Sequence, residues 1–175
     1  GDQETINLRL NEIEKKHYEA INNLLHDSLQ IGKQISLQIQ SNLQDIKDLL
    51  RAVTLMRIAH EQILELVSGY GEIWSAMIIA SYLRAQGYPF HFVNARDILV
   101  VSEGELGTKV LWEESEKRLE EYLTKIESEF EVEVQTNKLY TTENQISVPH
   151  LVITGYVAST IEGIATTLKR DGSDF

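Results

Sequence analysis

Thr166-Thr167-Leu168-Lys169-Arg170-Asp171-Gly172-Ser173-Asp174-Phe175 closes the chain, and its reading decides the fold. A short β-type run leads into a cation, a glycine, a hydroxyl and a carboxylate. Gly172 permits a backbone turn that other residues resist. Ser173 is a natural helix N-cap, so strand, turn and helix start are expected in that order. Such a turn sets Arg170 and an Asp beside free backbone N–H groups, a usual way to hold an anion. A capped loop with a surface Arg–Asp pair would look the same, because Gly-Ser-Asp clusters are common turn chemistry.

Working outward, composition sets the bounds. The 175 residues suffice for one domain with its own core. Hydrophobic residues make up 42%, which favours a globular chain over disorder. The formal net charge of -11 argues against nucleic acid and anionic membrane as partners, yet permits a small anionic substrate held by a few placed cations. The absence of cysteine removes disulfides and thiolate metal sites. No uninterrupted apolar run reaches the roughly 20 residues of a bilayer span, and no signal peptide is visible, which suits the cytosol.

Residues 4 to 26 carry an amphipathic helical pattern through Leu10, Ile13, Ile21 and Leu24, with His17 on the stripe as a core or helix-edge residue. Residues 27 to 40 read as helix or helix–loop, with Gly32 as a boundary signal. The helical period returns over 41 to 66, capped by Ser41 or Asn42 and broken near 57 to 61. Ser68-Gly69-Tyr70-Gly71 then breaks the helix, and Glu72 opens the next one in its first turn. That helix packs through Ile73, Ala76, Met77, Ala80 and Leu83, and Gly87 and Pro89 stop it.

Phe90-His91-Phe92-Val93 and Leu99-Val100-Val101 read as strands around a turn at 94 to 97, with Arg96–Asp97 as a local ion pair. Ser102 to Gly107 is expected to be a polar loop. Glu113 to Glu127 is expected to be a charged helix whose charge run is a solvated face, with Glu113–Lys117 and Glu121–Lys125 as its four-apart pairs. Phe130 to Val134 alternates as a strand would, inside a segment (128 to 148) that reads as an insertion. His150 to Thr154 is the clearest strand, and at Gly155 the backbone must pass close to something. A turn at 160 to 163 and an extended run at 164 to 168 lead back to the closing stretch.

Three of these stretches, in this order, resemble aspartate kinases of the amino-acid-kinase family. They are the closing Thr-Thr-Leu-Lys-Arg-Asp-Gly-Ser-Asp-Phe, the segment Gly69-Tyr70-Gly71-Glu72-Ile73-Trp74-Ser75-Ala76, and the segment His150-Leu151-Val152-Ile153-Thr154-Gly155-Tyr156-Val157-Ala158-Ser159. The Lys-Arg-Asp-Gly-Ser-Asp form is most similar to bifunctional aspartokinase–homoserine dehydrogenases. Many monofunctional members have Gly-Arg-Gly-Gly-Ser-Asp, and Asp171 beside Arg170 would locally neutralise the cation. The resemblance covers 69 to 175 well, and residues 1 to 68 only in helical character.

The resemblance implies an α/β fold: part of an α/β/α sandwich of the carbamate-kinase type, with a mainly parallel sheet and a helix-rich N-terminal half. The chain would be one incomplete domain, helical over about 1–68 and substrate-binding over about 69–175, cut at both ends. The family's Lys-Phe-Gly-Gly-Thr-Ser loop and ATP-binding half are not in it. The reaction implied is transfer of the γ-phosphoryl group of ATP to the β-carboxylate of L-aspartate. Glu72 would pair with the substrate ammonium, Arg170 would clamp a carboxylate, and Tyr156 would shape the pocket. Ser173 and Asp174 would organise the turn, with Asp174 in a catalytic role orienting lysines elsewhere. ATP and Mg2+ would serve the complete enzyme, a homo-oligomer, with neither held tightly by this piece. The alternatives are another amino-acid kinase, acting on glutamate or acetylglutamate, and a non-catalytic acidic helical interaction module.

Overall fold

The computed structural model describes residues 3–57, 61–104, 107–136 and 149–168. The chain divides into two compact units, 1–70 and 71–175.

The first unit is helical. Helix α1 spans Gln3–Leu24 and α2 spans Leu29–Met56. Leu10 and Ile21 of α1, with Leu25, are buried, as are Ile35, Ile39, Leu43 and Ile46 of α2. Their three- and four-residue steps put one face of each helix inside. Two expectations are corrected here and two are met. The stretch 27–40 is helix from Leu29 on, with Ser28 as its N-cap residue, and it runs unbroken into 41–56, because Gln and Leu are good helix formers and the apolar stripe continues. Ser41 and Asn42 therefore lie inside α2 and cap nothing. Gly32 is no boundary: it sits in α2, where an added Cβ would lie 3.4 Å from Ile21 Cγ2, so it lets α2 approach α1. The break near Arg57 is real, with that residue in the left-handed region at φ 54.

Helix α3, Glu61–Ala85, overturns the expected break at Ser68–Gly71. Each glycine costs about 1 kcal/mol against alanine in a helix. Burial of Ile73, Trp74, Ala76, Ile78 and Ala80 offsets that cost. Glu72 consequently stands mid-helix, away from any helix N-terminus. Gln62–Ala85 is also long and apolar enough to cross a membrane by length and composition, although Glu65, Glu72 and Arg84 interrupt it, so it is no uninterrupted apolar run. The buried face just named reads as the core helix of a globular unit. Its end matches expectation. Gly87, at φ 86, donates to the Arg84 carbonyl and Tyr88 to the Leu83 carbonyl, which closes a Schellman motif.

The second unit is α/β. Strand β1 is Phe90–Val93, α4 is Ala95–Ile98, β2 is Val101–Gly104 and β3 is Gly107–Val110. Helix α5 is Trp112–Thr136, β4 is His150–Ile153, β5 is Val157–Ser159 and β6 is Ala165–Thr167. Strands β1 and β4 pair in parallel, Phe90 opposite His150 through Val93 opposite Ile153. The crossover between them carries α4, the β2–β3 hairpin and α5. Val93, Ile98 and Ile126 form the core there, with Leu119, Tyr122 and Leu151 packed on it. Strands β5 and β6 form an antiparallel hairpin, joined to the segment before β2 by a parallel bridge between Val100 and Ser159.

Three local readings change. Within the expected polar loop 102–107, residues 102–104 and 107 belong to the β2–β3 hairpin, with Val101 opposite Val110. The expected strand at 130–134 is helix. Ile126 and Phe130 are buried four residues apart on α5, so the helical stripe prevails over the alternation. The charge pairs of α5 that close are Glu114–Arg118 at 3.1 Å and Lys125–Glu129 at 3.9 Å, rather than the two expected. The remainder of the expected insertion, 137 to 148, lies outside the described residues.

Candidate functional site

The parallel pair β1–β4 ends at Val93 and Ile153. In open α/β sheets, ligands bind beyond the carboxyl ends of such strands. The chain is tightly stitched at this point. The Thr154 amide donates to the Val93 carbonyl at 3.1 Å. The buried Thr154 Oγ1 accepts from the Ala95 amide at 2.8 Å, and the Asn94 side chain caps α4 by accepting from Arg96 N. These bonds fix where Gly155 begins.

At Gly155 the expected close approach is found. A Cβ built there would lie 3.6 Å from Oε2 of Glu72 on α3. Glu72 is exposed, and a side chain at 155 would meet its carboxylate at ordinary contact distance. Tyr156 follows in the left-handed region, at φ 63, and Val157 N donates to the Gly155 carbonyl at 2.6 Å. That closes a three-residue γ-turn of positive φ, a rare and strained form. The Tyr156 carbonyl accepts from Leu168 N at 2.8 Å, so the end of β6 lies against the same turn. Glu72, Gly155, Tyr156 and Leu168 therefore come together. Arg170, Ser173 and Asp174 lie outside the described residues.

Sequence reasoning missed the supports of this corner. Ser159 Oγ donates to the Arg96 carbonyl at 2.8 Å. Arg118 donates to Glu114 at 3.1 Å, to Ser159 Oγ at 3.4 Å and to the Ile161 carbonyl at 3.2 Å. Arg118 was assigned to a solvated charge run, but its side chain is only 23% exposed. The available signal was its helical phase, since 115, 118, 119 and 122 share one face of α5. Nearby, burial raises the Asp97 carboxyl from its ordinary value, while the Arg96 and Lys125 charges pull it back. Among the described residues, no group of three or more His, Asp or Glu side chains forms a metal cage.

The parallel β1–β4 pair, with its crossover through α4 and α5, defines an α/β domain in which Glu72 lies near the turn that follows β4. Similarity to known proteins narrows that class. No family model matches the chain. It is 33% identical over 166 residues to the bifunctional aspartokinase/homoserine dehydrogenase 1, chloroplastic, of Arabidopsis thaliana, covering 93% of the chain and 16% of the relative. It is 32% identical over 167 residues to the Zea mays protein of the same name, covering 95% and 16%. Against the Daucus carota bifunctional enzyme it is 34% identical over 139 residues, covering 79% and 13%. A crystal structure of Clostridium acetobutylicum aspartate kinase aligns with TM-score 0.43 and 18% identity, over 93% of this chain and 32% of that one. The chain belongs to the aspartokinase family, as a homologue of one segment of its bifunctional members. It spans about a sixth of the length of the curated relatives it matches.

Proposed function

We propose that this chain supplies the aspartate-recognition part of an aspartate kinase, which makes 4-phospho-L-aspartate from L-aspartate and ATP. The observation that carries the reading is the Glu72 carboxylate standing open over Gly155, next to the strained turn at Tyr156.

Aspartate's nucleophile is a carboxylate, ionised at neutral pH, so it needs no general base. The barrier is electrostatic and positional, because one anion must approach another in line. The protein's task is to hold aspartate by its other charges. Glu72 pairs with the α-ammonium through a charge-assisted hydrogen bond. Gly155 gives the ammonium room, and Tyr156 walls the pocket. Arg170 clamps a carboxylate with its planar fork, and Ser173 and Asp174 organise the turn that carries it. ATP would bring the phosphoryl group and Mg2+ would screen its charge, and none of the residues named here is assigned to hold them. The chain alone is therefore expected not to phosphorylate aspartate. A cytosolic homo-oligomer without nucleic-acid or membrane partners accompanies this reading; cell fractionation and light scattering of the full-length protein check it, and the relatives' names are chloroplastic.

The test is isothermal titration of L-aspartate into the full-length protein and its Glu72→Gln variant. Loss of the ion pair is expected to weaken binding by about tenfold or more, the worth of a hydrogen bond to a charged group. Equal affinities would remove Glu72 from the site. Tighter binding of glutamate than of aspartate would favour a different amino-acid kinase.

A further inference from the structure

We propose that Arg118 is a positioning residue for the aspartate site, a proposal that rests on the functional reading above. Its guanidinium joins elements that the backbone does not join. One nitrogen is held by Glu114, one turn earlier on α5, at 3.1 Å. The other two reach across to the β5–β6 hairpin, to Ser159 Oγ at 3.4 Å and the Ile161 carbonyl at 3.2 Å. Ser159 and Ile161 flank the closed end of that hairpin. There Gly163 N donates to the Thr160 carbonyl and Thr160 N to the Ile164 carbonyl, both at 2.9 Å.

The open end of the same hairpin is the candidate site. Pairing runs from Ser159 opposite Ala165 to Val157 opposite Thr167, and Leu168 N then binds the Tyr156 carbonyl. Three-residue strands span only about 10 Å, so a tilt at the closed end is felt at the open end. Ser159 is the pivot, because its hydroxyl donates to the Arg96 carbonyl and its amide to the Leu99 carbonyl. A planar fork can hold two acceptors at once, while a lysine ammonium is a point charge on a flexible stem. Arg118 therefore sets the angle at which β6 delivers the chain to Tyr156, without touching substrate.

The experiment compares wild type, Arg118→Ala and Arg118→Lys in the full-length protein. Two readouts are taken: steady-state kinetics, and amide exchange of peptides covering 160–168 and 90–100. Both variants are expected to raise KM for aspartate about tenfold, with kcat and KM for ATP changed less than about threefold. Exchange over 160–168 is expected to quicken about tenfold and over 90–100 to stay put. An unchanged aspartate KM, or an ATP KM that rises in step, overturns the proposal. If the alanine variant does not fold, the lysine variant carries the test alone. A wild-type protein that does not phosphorylate aspartate would sink the functional reading instead. Exchange then decides Arg118: unchanged rates at 160–168 overturn its anchoring role, and quickening confined there supports it.

Discussion

Tyr156 should be less stable in its place than glycine would be, and the difference can be measured. Its φ of 63 lies in the left-handed region, and the bond from Val157 N to the Gly155 carbonyl, 2.6 Å, locks it there. For an L-residue that conformation costs about 1–2 kcal/mol. Glycine escapes the cost but makes the unfolded chain more flexible, which returns about 0.4–1 kcal/mol. Comparing Tyr156→Gly with Tyr156→Ala cancels the loss of the ring. The glycine variant should then be the more stable by about 0.5–1 kcal/mol, or a few degrees in Tm for a chain of this size. The assay is urea unfolding followed by tryptophan emission. Both tryptophans, Trp74 and Trp112, lie in the unit 71–175, so the signal reports the unit that holds the turn. Both variants should bind aspartate more weakly than wild type in the full-length protein, since both lack the pocket wall. An alanine variant as stable as the glycine variant would refute the strained turn, and with it the idea that the site stores strain.

Other substitutions probe the corrected elements. Gly71→Ala should stabilise the unit by about 0.5–1 kcal/mol, because the position is helical and an added Cβ meets nothing within 4 Å; a loss in the same urea assay would mean that the segment is a loop in solution. Ser115→Ala should cost about 1–3 kcal/mol, since it leaves the buried Val100 N–H without the hydroxyl that accepts it at 2.9 Å; a neutral result by calorimetry would show that another acceptor takes over. For Asp97, burial raises the folded pKa, so its stabilising share is full below the unfolded pKa and is lost as pH rises through the folded one. Asp97→Asn should therefore be the more stable at neutral pH, by an amount that shrinks towards pH 3, and a gap that widens on acidification would reverse the assigned cause.

Much of the α/β unit was legible from local patterns. Phe90–Val93, His150–Ile153 and the turn at 160–163 announce themselves by apolar runs and punctuation, and Gly155 was rightly read as a close approach. What approaches it was not legible, since Glu72 is distant in the chain and only the fold joins them. The misreadings share one cause. Gly69 and Gly71 are helix breakers locally, yet Ile73 and Trp74 gain more by burial than the glycines lose. Phe130 to Val134 alternates locally, yet Phe130 lies four residues from buried Ile126. In each case a packing term of several kcal/mol overrides a propensity term of about one.

The same argument explains why the site's supports were invisible. A two-stranded parallel ladder of four residues a side is too small to hold the corner at Gly155 rigid by itself. The rigidity must come from side chains that bond to backbone across elements. Thr154 does this to Ala95, Ser159 to Arg96, Ser115 to Val100 and Arg118 to Ile161. None belongs to a recognisable spacing, because each bond joins residues that are far apart in sequence. Three are hydroxyls and one is an arginine on a charged helix, all of which read as surface chemistry when taken singly. Thr154, Ser159 and Ser115 are buried and Arg118 is partly so, and together their bonds tie β4, β5, α4 and α5 to one another behind the strained turn. A strained turn persists only where its surroundings over-determine it. Here that over-determination is carried by a handful of side-chain bonds, so loosening any one of them should relax Tyr156 before it unfolds the unit.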